Sequence, residues 1–181
     1  MSITLMRIIA GKWKSRQIAA PRGNVVRPTT DRVRESVFNV LENILDFSEC
    51  TVYDMFAGSG AMGIEALSRG ARQVTFFEQS RTVAAALKKN LGLLGCEDTS
   101  VTIGDALRFA KQCTMPADIV FADPPYRYPH IEEFAATVIR NNVFSRVFVL
   151  EHVSAVKIVI PDFAAWQEKK FGTTSVQFYK R

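Results

Sequence analysis

With 181 residues, 48% of them hydrophobic and 23% charged, the chain has the size and balance of one globular domain, which excludes disorder throughout. No apolar run approaches the roughly 18 to 20 residues that span a bilayer, and MSITLMRIIAGK lacks the features of a secretory signal; a cytoplasmic protein without membrane attachment is expected. The net charge of +5 is concentrated: residues 1–34 hold eight basic side chains and one acid, +7, whereas the remaining 147 hold 15 basic and 17 acidic, −2. A block of this kind suits a polyanion contact, with a solvated basic tail as the alternative.

In chain order, MRIIA and RQIAA flank the polar GKWKS and predict a small β-hairpin with Lys12, Trp13 and Lys14 near its turn. PRGNVVRPTT follows with the composition of a linker. The expected division is therefore a basic hairpin and linker over residues 1–26, ahead of the main domain at 27–181. Because this hairpin precedes the predicted sheet, loss of residues 1–23 is expected to leave a folded domain. Val33, Val37, Val40, Leu41, Ile44 and Leu45 recur at helical spacing from about Thr30 to Leu45, with Thr30 or Asp31 able to cap the helix.

Beyond that helix the short β-rich runs TVYDMF, QVTFFE, SVTIG, DIVFAD and RVFVLE alternate with helical stretches near 61–69, 80–94, 105–112 and 130–141. Alternation of this kind predicts an α/β fold, an open and mostly parallel sheet with helices on both faces. QEKKF and TSVQFYKR around Gly172 and Thr173 predict an antiparallel hairpin ending the sheet, while residues 153–165 match no pattern. Cys50, Cys96 and Cys113 are too scattered for a disulfide framework or zinc site, and His130 and His152 stand alone. No metal is expected, and a monomer is.

Ligands of an open α/β sheet sit beyond the C-terminal strand ends, where strand order reverses. The first predicted strand of the sheet ends in Asp54-Met55-Phe56-Ala57-Gly58-Ser59-Gly60-Ala61-Met62-Gly63, a strand, glycine-rich turn and helix in the context that makes a GxGxxG pattern informative. It does not separate a dinucleotide from S-adenosylmethionine (SAM). Glu78 ends the second strand, 20 residues after Gly58, where an acid can accept from ribose hydroxyls; an ordinary strand terminus would look the same. Asp105 and Ala106 follow the third strand and can read an adenine edge, or Asp105 can simply cap the next helix. The fourth strand ends in Asp123-Pro124-Pro125-Tyr126. Two prolines end the strand and fix the backbone, presenting a carboxylate, a carbonyl and an aromatic ring at one rigid lip.

Asp-Pro-Pro-Tyr after the fourth strand, with a glycine loop after the first, resembles the amino-methyltransferases that modify exocyclic nitrogens. Arg7-Ile8-Ile9-Ala10-Gly11-Lys12-Trp13, Arg27-Pro28-Thr29-Thr30-Asp31-Arg32-Val33-Arg34-Glu35 and Glu65-Ala66-Leu67-Ser68-Arg69-Gly70-Ala71 narrow the likeness to the bacterial 16S ribosomal RNA guanine-N2 methyltransferases. Ser15 stands where that family is expected to carry a glycine. The resemblance implies a Rossmann-like SAM-binding sheet, a flipped guanine, and an N-terminal hairpin that contacts ribosomal RNA or the small-subunit particle. Asp54, Phe56, Ala57, Gly58, Ser59, Gly60, Glu78, Asp105 and Ala106 then become candidate cofactor residues, and Asp123, Pro124, Pro125 and Tyr126 candidate catalytic ones. Arg7, Lys12, Trp13, Lys14, Arg16, Arg22, Arg27 and Arg32 become candidate RNA contacts. An amino-methyltransferase of DNA adenine or of another RNA base, and more distantly an NAD-dependent dehydrogenase or a non-catalytic RNA-binding module, are the competing readings.

Overall fold

A computed structural model describes residues 4–20 and 30–181. Strands β1 (Thr4–Arg7) and β2 (Gln17–Ala20) form an antiparallel hairpin. There follow α1 (Asp31–Glu42), β3 (Thr51–Met55), α2 (Ala61–Ser68), β4 (Gln73–Glu78), α3 (Arg81–Leu94), β5 (Thr99–Ile103), α4 (Ala106–Gln112), β6 (Ala117–Ala122), α5 (Ile131–Arg140) and β7 (Phe144–Val153). Strands β8 (Gln167–Phe171) and β9 (Thr174–Lys180) close the chain. The expected α/β architecture is present: a seven-stranded sheet in the order β5-β4-β3-β6-β7-β9-β8, parallel from β3 to β7, with β9 antiparallel to both neighbours.

The central strands are apolar on both faces because helices cover both. On one face Val52, Phe76, Ile119, Phe121 and Val149 join Phe38 and Leu41 of α1, Ile64 of α2 and Leu87 of α3. On the other, Met55, Phe77, Val120 and Phe148 join Leu107 of α4, Phe134 and Val138 of α5, and Tyr179 of β9. Local signals set the helix limits. Thr30 accepts from the Val33 N–H and Ser80 from the Val83 N–H, while Gly95 ends α3 in the left-handed region at φ 68°.

Two expectations need correction. Helix α1 stops at Glu42 rather than Leu45: the Ile44 N–H donates to the Leu41 carbonyl, three residues back instead of four. Strand β7 continues past RVFVLE to Val153, held by β9 as far as Thr174. Beyond Val153, the segment that matched no pattern forms neither helix nor strand through residue 165 and passes Ile158 and Ile160 into the second core. The linker, with Arg22 and Arg27, lies outside the described residues.

The hairpin is also more than an extension. Met6, Ile8, Trp13 and Ile18 belong to the first core, and Trp13 is only 8% exposed. Helix α2 grips the turn: Glu65 Oε2 and Oε1 accept from the Ile9 and Ala10 N–H groups at 2.8 and 3.0 Å, and Ser68 Oγ accepts from the Trp13 N–H at 3.0 Å. A Cβ on Gly11 would fall 1.8 Å from the Ser68 carbonyl oxygen, so only glycine lets the Lys12 N–H reach that oxygen at 2.7 Å. These contacts count against the expectation that folding survives loss of residues 1–23.

Ser15 takes φ 68°, which accounts for the glycine expected there. A non-glycine residue pays roughly 1 to 2 kcal/mol to enter the left-handed region, part of which glycine returns as extra unfolded-state entropy. Ser15→Gly should thus raise stability by about 0.5 to 1 kcal/mol in urea melts.

Candidate active site

Strands β4 and β5 extend from β3 in one direction and β7, β9 and β8 from β6 in the other, so strand order reverses between β3 and β6. The two motif-bearing loops leave from these adjacent strand ends. One cleft is lined by Asp54, Phe56, Ala57, Gly58 and Ser59 after β3, Glu78 after β4, Asp105 and Ala106 after β5, and Asp123, Pro124, Pro125 and Tyr126 after β6. Gly60 alone among the candidate cofactor residues is not part of the lining; it takes φ 82° to start α2, where a Cβ would meet Leu87 Cδ1 at 2.4 Å.

The β3 loop is built by backbone geometry. Phe56, Gly58 and Gly60 all take positive φ, at 61°, 57° and 82°. Phe56 bears this strain because its ring is held edge-on by Tyr128 and Phe134, each 5.1 Å away between centroids. The Ala57 N–H donates to the Phe77 carbonyl at 2.9 Å, tying the loop to β4. A Cβ on Gly63 would lie 2.3 Å from Phe76 Cε1, so that glycine lets α2 pack closely on the sheet.

Glu78 is more than an exposed strand terminus. Its Oε2 accepts the Gly58 N–H at 2.9 Å and its Oε1 the Ser80 N–H at 2.8 Å, so it braces the glycine turn. An ionised carboxylate offers about four lone-pair sites, which leaves acceptor capacity toward the cleft. Asp105 does cap α4, with Oδ1 accepting the Arg108 N–H at 2.7 Å, and still lines the cleft. At the β6 lip the Tyr128 N–H donates to the Pro125 carbonyl at 2.8 Å, closing a turn that leaves the Tyr126 side chain outward, at 43% exposure. Carboxylates at the ends of β4 and β5 beside a glycine turn suit the hydroxyls and base of a nucleoside.

Asp54 is the most perturbed group in the cleft. Burial pushes its carboxyl up to about 8, opposed by the Gly63 N–H that Oδ2 accepts at 2.8 Å and reinforced by the negative charges of Asp123 and Glu78. Its folded-state value lies above the ordinary 3.8, so the folded chain keeps a proton that the unfolded chain releases between those values. Stability from this group therefore falls as pH rises from about 4 to about 8. Asp54→Asn should flatten that fall, which thermal melts at pH 5 and pH 8 would register.

The candidate RNA contacts differ in exposure. Lys12, Lys14, Arg16 and Arg32 are exposed. Arg7 pairs with Asp31 at 3.2 Å, and Arg16 donates to the Leu93 carbonyl at 2.7 Å. Trp13 is buried, with Lys12 Nζ 4.2 Å from its ring centroid, so core packing occupies the ring of this candidate RNA contact. The sequence reading missed Ala61, Met62, Phe77, Gln79 and Gly104 in the cleft wall. Gln79 and Gly104 directly follow and precede residues it singled out, so proximity was the available signal.

The family model described as "Conserved hypothetical protein 95" matches residues 6–180. Ribosomal RNA small subunit methyltransferase D of Escherichia coli (strain K12) is 38% identical over 180 residues, covering 97% of this chain and 90% of that protein. The protein of the same name from Haemophilus influenzae is 39% identical over 183 residues, covering 97% and 93%. The solved structure of "Putative methyltransferase yhhF from Escherichia coli" superposes with a TM-score of 0.87 at 35% identity, over 98% of each chain.

Proposed function

We propose that this chain, which belongs to the ribosomal RNA small subunit methyltransferase D family, uses SAM to methylate the exocyclic N2 of a guanine in small-subunit ribosomal RNA. One observation carries the reading: the glycine turn after β3 and Asp123-Pro124-Pro125-Tyr126 after β6 line the same cleft where strand order reverses. A dehydrogenase has use for the first feature and none for the second.

SAM supplies an electrophilic methyl group on a sulfonium. The residues of this chain bind and aim. Glu78 would accept from ribose hydroxyls, Asp105 and the Ala106 N–H would meet the adenine edge, and the Phe56–Gly60 turn with Asp54 would hold the remainder. The harder task concerns the nucleophile, because an exocyclic amino nitrogen shares its lone pair with the ring. Asp123 accepts one N–H and the Pro124 carbonyl the other. That draws the nitrogen toward tetrahedral geometry, points its lone pair at the methyl group and stabilises the positive charge that develops. Tyr126, exposed at the lip, stacks on the base once it has left its helix.

Tyr126→Phe should therefore retain most activity and Tyr126→Ala lose much of it; equal losses would assign the hydroxyl a role of its own. Calorimetry with SAM and with NAD tests the cofactor. Binding of SAM alone is expected, and binding of NAD alone would overturn the reading.

A further inference from the structure

Asn90 of α3 is 2% exposed on a helix face otherwise made of Ala84, Leu87, Leu91 and Leu94. Its Oδ1 accepts the Ala19 N–H at 3.1 Å, and its Nδ2 donates to the Ala19 carbonyl at 2.9 Å. A primary amide that meets both polar groups of one residue acts as a neighbouring strand would, fixing the edge of β2 in rotation as well as position. The same Nδ2 reaches the carbonyl of Ser59 at 3.4 Å. Ser59 lies between the left-handed Gly58 and Gly60 and lines the cleft. One buried side chain thus touches both the hairpin and the cofactor loop.

Helix formation does not call for asparagine there, since it is a poorer helix former than leucine and its burial costs free energy unless its polar atoms are paired. The three contacts are also unequal. Those to Ala19 have ordinary lengths, whereas 3.4 Å to Ser59 exceeds the usual 2.7 to 3.2 Å and has room to shorten when the loop is filled. A second path runs alongside, because α2 begins at the loop and holds the hairpin turn through Glu65 and Ser68.

We propose that Asn90 is a positioning residue that registers the hairpin against the cofactor loop, so that filling the loop sets the pose in which the hairpin presents RNA. Only the last step rests on the function proposed above.

Hydrogen exchange at the Ala19 amide, with and without S-adenosylhomocysteine, tests the link directly. In the parent chain the ligand should slow exchange about ten-fold, and in Asn90→Ala it should change little, with ligand affinity within about three-fold. Single-turnover methyl transfer at saturating RNA should fall about 10- to 100-fold in Asn90→Ala, the scale of a misplaced reactant, with RNA affinity nearly unchanged. Asn90→Ser, polar but too short to reach both partners, repeats the measurement should the alanine variant fold poorly. Exchange indifferent to ligand in the parent chain, or equally slowed in both variants, would overturn the proposal. Lys14→Glu examines the RNA step separately: unchanged RNA affinity would remove the hairpin's part in RNA contact and leave the exchange result standing.

Discussion

Asp123→Ala is expected to reduce methyl transfer by about 10²- to 10³-fold or more while SAM affinity stays within a few-fold of the parent. The asymmetry follows from where the carboxylate sits. Asp123 is at the end of β6, on the far side of the cleft from Glu78 and Asp105, beside the two prolines that hold the adjacent carbonyl. Its proposed partner is the target amino group, and that bond strengthens only as the nitrogen gains positive charge, so its loss falls on the transition state. Asp123→Asn conserves the shape but turns an amide N–H toward a donor, and should also be severely impaired. Single-turnover transfer from labelled SAM reads both variants, and near-normal transfer by Asp123→Ala would remove its proposed role.

Deleting residues 1–23 is expected to abolish cooperative folding. The deletion strips Met6, Ile8, Trp13 and Ile18 from the first core. At roughly 1.5 to 3 kcal/mol for each buried apolar side chain the loss approaches 6 to 12 kcal/mol, comparable to the whole stability of a domain, about 5 to 15 kcal/mol. It also removes the Ile9 and Ala10 N–H groups from Glu65, which is 1% exposed beside Arg34 and Arg69, at 3.8 and 2.9 Å. A buried charge network that loses a partner is costly in a way an exposed pair is not. The point variant Glu65→Ala isolates this second effect and should cost about 3 to 5 kcal/mol in urea melts, since it leaves buried Arg34 with less compensation. A truncated chain that still melts cooperatively within a few degrees of the parent would show the hairpin to be dispensable.

The sheet and the cleft were legible because their signals are local. Apolar runs such as Ile119-Val120-Phe121-Ala122 announce buried strands, and a motif at the end of each strand needs no knowledge of distant contacts. The alternation of strands and helices announced a mostly parallel sheet but not its strand order, which brings the loops after β3 and β6 to one cleft. What stayed hidden depends on residues far apart in the chain. Trp13 stands among lysines and reads as an exposed ring, but Ser68, 55 positions away, holds its backbone in the core. Glu65 and Asn90 lie inside helical stretches whose apolar neighbours masked them, although a polar residue within the Leu87, Leu91 and Leu94 stripe was a signal available from spacing alone. Residues 158–160 gave no usable period because Ile158 and Ile160 turn inward from a segment that is not a strand.

The most direct test of the account is to incubate the protein with methyl-labelled SAM and unmodified small-subunit ribosomal particles or their extracted RNA, then digest the RNA to nucleosides and identify the labelled one. The account predicts label in N2-methylguanosine. Label in N6-methyladenosine, or in another nucleoside altogether, would contradict it.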